Sequence, residues 1–183
     1  MPQFVAGATI GDIRCVRNYL PKSRIMYPMA SPKWLNKPEL LAWRSFITTS
    51  GDLIRTIEKD LERFGLDFGD YQLLVMLSEA PQNRLRMCDL ADTLRLSRSG
   101  LTRRMQGVMK AKLVARTQSK EDARSANAQL TAKGMALLKK AAPHHVESVR
   151  RHMIDLLTES EAKAIGSAFT KIARHLDAEN LDQ

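Results

Sequence analysis

The chain has 183 residues, 44% of them hydrophobic, enough for one domain with a real core and a tail. Its net charge of +9 and pI near 9.8 favour a nucleic acid or an anionic membrane as partner; no apolar run approaches the roughly 18 residues of a transmembrane helix, so no such helix is expected, and of the two partners nucleic acid is expected and a membrane is not. Two cysteines, Cys15 and Cys88, exclude a disulfide framework and fit a reducing cytoplasm, and the apolar start Phe4 to Ile10, interrupted soon after by Asp12, Arg14 and Arg17, is a poor signal peptide.

Residues 1–36 contain Pro2, Pro21, Pro28 and Pro32 without a sustained period, and are expected to be a disordered extension. Met29-Ala30-Ser31-Pro32 reads like a natural chain start, which leaves open a leader ahead of it or a genuine arm. From Pro38 the pattern turns helical. Leu40, Leu41, Trp43, Phe46, Ile47, Ile54, Ile57 and Leu61 recur at helical spacing up to Phe64-Gly65. Asn36 is placed to cap this helix, with Pro38 in its first turn and Glu39 three residues on. A second helix runs from about Gly69 to Glu79 and stops before Pro81. Arg84 to Met87 is a short strand, and Cys88 to Leu94 a third helix. A fourth starts after Ser97 and ends near Ala111. Leu113 to Thr117 and Ala126 to Leu130 then alternate around the polar Gln118 to Ser125, which reads as a hairpin. Thr131 caps a long helix that Pro143 should kink and that should continue through Val146, Val149, Met153 and Leu156. Thr158 with Glu161 makes a capping box for a last helix, Glu159 to Leu176.

The charge is concentrated. Arg84 to Lys133 holds 12 Lys/Arg against 4 Asp/Glu, a net of +8, while residues 1–83 hold 10 against 9 and residues 134–183 hold 7 against 7. Packing requires no such arrangement, so a polyanion met by one surface is implied. Inside the segment, Leu90 to Arg104 reads as two short helices around a turn, the arrangement that puts a helix into a DNA groove. Ser97 is a cap for the second of them, whose first turn offers free N–H groups to a phosphate. Arg98, Ser99, Gly100, Thr102 and Arg103 sit near its N-terminus, the end that meets base edges. Either arginine can fork onto guanine; serine and threonine can bond a base or a phosphate. Leu101, Met105 and Val108 fall on the core side, and Ala91 is small where the two helices cross. The alternative, a merely solvated arginine face, fits the charge concentration less well.

The order of these elements resembles the MarR family of winged helix-turn-helix repressors over roughly Trp34 to Leu176. The resemblance rests on Leu96-Ser97-x-Ser99-x-Leu101-Thr102-Arg103, then Leu113-Val114-x-Arg116, Asp122-x-Arg124-Ser125, and Leu130-Thr131-x-x-Gly134. It implies a mainly α fold over 37–178, with a winged helix-turn-helix core at 66–133 and long dimerisation helices at 38–64 and 134–177. It implies a ligand-responsive, sequence-specific repressor that binds a palindromic operator in double-stranded DNA as a homodimer. Asp122, Arg124 and Ser125 would form the wing tip. Arginine suits a narrow minor groove, and the resemblance implies that Asp122 braces it rather than touching DNA.

The chain departs from the family pattern in places. Lys112 stands where glycine is usual past the fourth helix, so a left-handed residue there would be strained by about 1 kcal/mol. Gly107 interrupts the recognition helix at roughly 0.5–1 kcal/mol. Cys88 starts the third helix where serine would be the expected cap; it reads as a buried or half-buried spectator, with a redox-sensing regulator as the alternative. His144, His145, His152 and His175 lack the carboxylate or cysteine that completes a metal-ligand spacing, so no metal or cofactor is expected. His145 and His152 share a helix face and read as a polar surface or dimer contact. Trp43 and Tyr71 are candidates for an effector pocket, although aromatics at such spacing more often belong to a core. No nucleophile with a nearby base and no phosphate loop is present, so an enzyme is not expected. The rival from another class is a nonspecific DNA-organising protein.

Overall fold

The computed structural model describes residues 33–118 and 126–181. Helix α1 spans Lys37–Glu62 behind a complete capping box, with Asn36 Oδ1 accepting from the Glu39 amide at 3.0 Å and Glu39 Oε2 from the Asn36 amide at 2.8 Å. Gly65, with φ +68°, turns the chain into α2, Phe68–Glu79. Leu73, Leu74 and Leu77 of α2 are wholly buried, which makes it the spine of the core. Around it stand β1 (Arg84–Arg86), α3 (Met87–Thr93) and α4 (Arg98–Lys110), then β2 (Val114–Gln118) and β3 (Ala126–Leu130). The antiparallel sheet has the order β1-β3-β2, with Arg84 opposite Gln129 and Val114 opposite Leu130. Leu101, Met105 and Val108 of α4 and Ala91 of α3 are buried, as the spacing predicts.

The corner behind α4 is tightly built. Lys112 adopts φ +60°, the left-handed conformation expected to be strained there. What holds it is the start of α5 (Ala132–His152), whose N-cap is Thr131. The Thr131 hydroxyl donates to the carbonyls of Lys112 at 2.9 Å and Leu113 at 3.0 Å, and the Thr131 amide donates to Leu113 at 3.0 Å. Lys133 Nζ donates to the Ala111 carbonyl at 2.8 Å, placing a cation at the C-terminus of α4. Gly134 lies so close that an added Cβ would stand 2.1 Å from the Leu113 oxygen. The Thr131-x-x-Gly134 spacing is therefore a requirement of this crossing.

Helix α5 is continuous through Pro143 but ends at His152, short of the predicted Leu156. Met153 leaves helical geometry at φ −141°, a single 3₁₀ turn covers Ile154–Leu156, and Arg150 bonds Asp155 at 2.5 Å across the break. The last helix, α6 (Glu159–Leu181), runs past the predicted end and carries the Thr158–Glu161 box. Helix α1 packs on α5, and Ile57 and Leu61 in its C-terminal part are buried. By contrast, α1 before Ile57 and α6 up to Glu179 contain no buried residue. No helix among the described residues is long and apolar enough to cross a membrane.

Candidate nucleic-acid interface

Helix α4 presents a polar face opposite its buried stripe. Ser97 caps it, its Oγ accepting from the Gly100 amide at 3.0 Å and lying 3.1 Å from Ser99 Oγ. Gly100 is half-buried, and a Cβ there would sit 3.2 Å from Ser97 Oγ. Arg98, Ser99, Thr102 and Arg103 are exposed, and neither arginine makes an ion pair with a described residue. Thr102 turns its hydroxyl back to the Arg98 carbonyl at 2.8 Å, so outward it offers its methyl and the remaining lone pairs. The predicted recognition-helix residues thus converge on one helical end. The predicted wing residues Asp122, Arg124 and Ser125 lie outside the described residues.

The charge count overstates what this face can offer a polyanion. Arg104 turns inward and pairs with Asp67 at 2.5 Å and Asp70 at 2.8 Å, both at the start of α2. Those two carboxylates hold the guanidinium protonated more firmly than usual, outweighing the opposing effect of burial. Asp70 nonetheless has a raised pKa, because its burial and the charge of neighbouring Asp67 outweigh its bond to Arg104. Arg95, in the turn before α4, has φ +54° and pairs with Asp177 of α6. Neither pairing is visible in local sequence spacing, because the partners lie 34 to 82 residues apart.

The aromatic candidates separate within the chain. Tyr71 is 6% exposed and its ring lies 4.3 Å from that of His145, which also faces Phe68 at 6.2 Å. Trp43 is 55% exposed and stands 6.4 Å from Phe46, which in turn meets Phe169 of α6 at 5.3 Å. Tyr71 is a core residue, and Trp43 belongs to the uncovered face of α1. His145 and His152 also differ from a common polar surface. Burial pushes the His145 imidazole down toward its neutral form, and its Nδ1 is buried without a hydrogen-bond partner. His152 Nε2 lies 3.8 Å from Asp60. Asp60 is lowered by the adjacent Ser148 hydroxyl first, then by Arg151 and His152. Ser148 is buried, 1% exposed, beside this cluster.

Cys88 is exposed, not half-buried, and it is not a cap. Arg86 occupies the N-cap position of α3 without a side-chain bond, and the Cys88 thiol donates to Asp89 at 3.2 Å. No group of three metal-ligating side chains exists among the described residues.

Helices α3 and α4 around the turn at Arg95, packed on the buried α2 with the second of the pair exposed, and a three-stranded sheet whose β2 and β3 form a wing define a winged helix-turn-helix protein. The sequence model of the MarR family matches residues 64–125. The structure resembles AbsC, a MarR family transcriptional regulator from Streptomyces coelicolor, at 41% identity and TM-score 0.77, covering 80% of this chain and 99% of that one. It also resembles Sco3205, a MarR family transcriptional regulator from the same organism solved in complex with DNA, at 36% identity and TM-score 0.76, covering 79% and 92%. The HTH-type transcriptional repressor YetL of Bacillus subtilis is 26% identical over 112 residues, 60% of this chain and 67% of that protein. The chain belongs to the MarR family of transcriptional regulators, and these relatives are regulators rather than enzymes.

Proposed function

We propose that the protein is a sequence-specific regulator that binds double-stranded DNA as a homodimer and represses transcription from a palindromic operator. The observation that carries this reading is the exposed N-terminal end of α4, where unpaired Arg98 and Arg103 flank Ser99 and Thr102. A helix presented in this way fits the major groove, with Arg103 reading a base edge and the Ser97-capped first turn meeting phosphate. At the wing tip of Asp122, Arg124 and Ser125, Arg124 serves the adjoining minor groove and Asp122 braces it. The DNA complex of Sco3205 and the repressor name of YetL support the same reading.

Residues 66–133 form the reading unit, and 38–64 with 134–177 form the dimer. Leu41, Trp43, Phe46 and Ile47 of α1 and Phe169 and Ile172 of α6 are 42–68% exposed, an apolar area that a second copy would cover. We assign a small-molecule effector to a site that includes Tyr71 and Trp43. Trp43 reaches such a site only if the dimer closes the α1 face over it. The effector acts by favouring a spacing of recognition helices that misses the groove repeat. The test is a footprint over the promoter of the protein's own gene with excess random competitor, with light scattering on the same sample. A protected site and a dimer mass are expected. A monomer, or uniform protection that competitor removes, overturns the reading and favours a nonspecific DNA-organising protein.

A further inference from the structure

We infer that Arg104 is a positioning residue, which fixes the roll of the recognition helix against α2 and makes no contact with DNA. The inference rests on the DNA-reading role proposed for α4. The buried stripe of Leu101, Met105 and Val108 sets how deeply α4 sits but restrains rotation about that stripe only weakly, because apolar contacts have no direction. Arg104 supplies direction from the flank. Its Nη1 is held by Asp67 and Asp70 at 2.5 and 2.8 Å, and its side chain is only 26% exposed.

The anchor itself is fixed. Asp67 is the N-cap of α2, and the oxygen that holds Arg104 also accepts from the Asp70 amide at 2.6 Å. Asp67 therefore cannot follow a displaced arginine without uncapping the helix. Gly69 leaves the space the guanidinium occupies, since a Cβ there would stand 2.4–2.6 Å from three of its atoms. A glycine in the first turn of a helix is otherwise unfavourable, so this position points independently to the clamp. Two carboxylates against one guanidinium leave the cluster with a net negative charge, which gives Arg104 nothing to offer a phosphate. Arg103 and Gly100 line the same groove of about 420 Å³, so the roll set by Arg104 is also the aim of Arg103.

Phosphate contacts and positioning contacts have different signatures. A lost phosphate contact weakens all duplexes alike and lowers the salt slope by about one, whereas a lost positioning contact lowers the preference for the right sequence. The experiment compares wild type, Arg104→Met and Gly69→Ala. Gly69→Ala keeps every charge and merely displaces the flexible end of Arg104. Binding to a duplex recovered by in vitro selection and to a random duplex is measured from low to high salt. Both variants should lose roughly tenfold on the selected duplex, about the effect of one mismatched base pair, with random-duplex affinity and salt slope unchanged. Equal losses on both duplexes with a reduced slope for Arg104→Met would overturn the inference.

Hydrogen exchange of the free protein supplies a readout without DNA. Amides of α4 should exchange faster in both variants by more than any fall in the urea midpoint accounts for, and α4 protection that changes only in step with the midpoint also overturns the clamp. If selection recovers no preferred duplex, the DNA-reading role fails, and the exchange result still decides the clamp.

Discussion

Replacing Gly134 by alanine should damage the fold through one contact. The new Cβ would meet the Leu113 oxygen at 2.1 Å, more than 1 Å inside ordinary van der Waals contact, and Leu130 Cδ1 at 2.7 Å. The side chain of Leu130 can shift, but the carbonyl cannot, because it already accepts from both the amide and the hydroxyl of Thr131. Relief requires α5 to withdraw by about 1 Å, which carries those two bonds out of hydrogen-bond range. At about 0.5–1.5 kcal/mol per bond, with some packing lost beside Leu138, the cost is roughly 2–4 kcal/mol. For a chain of this size that lowers Tm by roughly 5–15 °C. Thermal and urea unfolding at one fixed protein concentration would measure it. Gly107→Ala is the internal comparison: nothing lies within 4 Å of its added Cβ, so it should stabilise by about 0.5–1 kcal/mol. If Gly134→Ala unfolds within about 0.5 kcal/mol of wild type, the account of this corner is wrong.

Other substitutions probe the site. Arg103→Ala should cost roughly 1–3 kcal/mol on the operator and relax specificity at one position per half-site, while Arg124→Ala should lose preference for A/T flanks; binding selections with each variant would show this, and equal losses on random DNA would contradict both roles. Cys88→Ser should bind DNA like wild type with no gain from capping, since Cys88 lies inside α3, and peroxide should release neither; a peroxide response that the variant loses would make Cys88 a redox switch. His145 is held neutral by burial, so its contribution to stability is complete above about pH 6.5 and is lost as pH falls toward its lowered value. Wild type should therefore lose more of its urea midpoint than His145→Gln between about pH 7.5 and 5, and parallel losses would show that His145 is not desolvated.

Local chemistry made much of the fold legible before any coordinates. Asn36, Ser97, Thr131 and Thr158 are caps because their side chains bond backbone groups within three residues, a range that sequence spacing reports directly. The left-handed residue at Lys112 is legible only through the family resemblance, which places glycine at that position. What sequence spacing could not report were pairings over distance. Arg104 looks like another cation on a basic helix until α2 brings Asp67 and Asp70 beside it. Arg95 and Asp177 meet only because α6 returns toward the turn before α4. The early end of α5 was hidden because Met153 and Leu156 keep the apolar period through the break. Cys88 reads as a cap only if the helix begins after it; the N-cap is Arg86, two positions earlier, which makes Cys88 an ordinary residue of the first turn.

In vitro selection of duplexes from a random library, using the full chain, tests the central claim most directly. A two-fold regulator should enrich an inverted repeat whose half-sites lie about one helical turn apart, with two chains bound per site. A library that emerges from repeated rounds without an enriched sequence, while the protein still retains DNA at low salt, would contradict sequence-specific reading by α4.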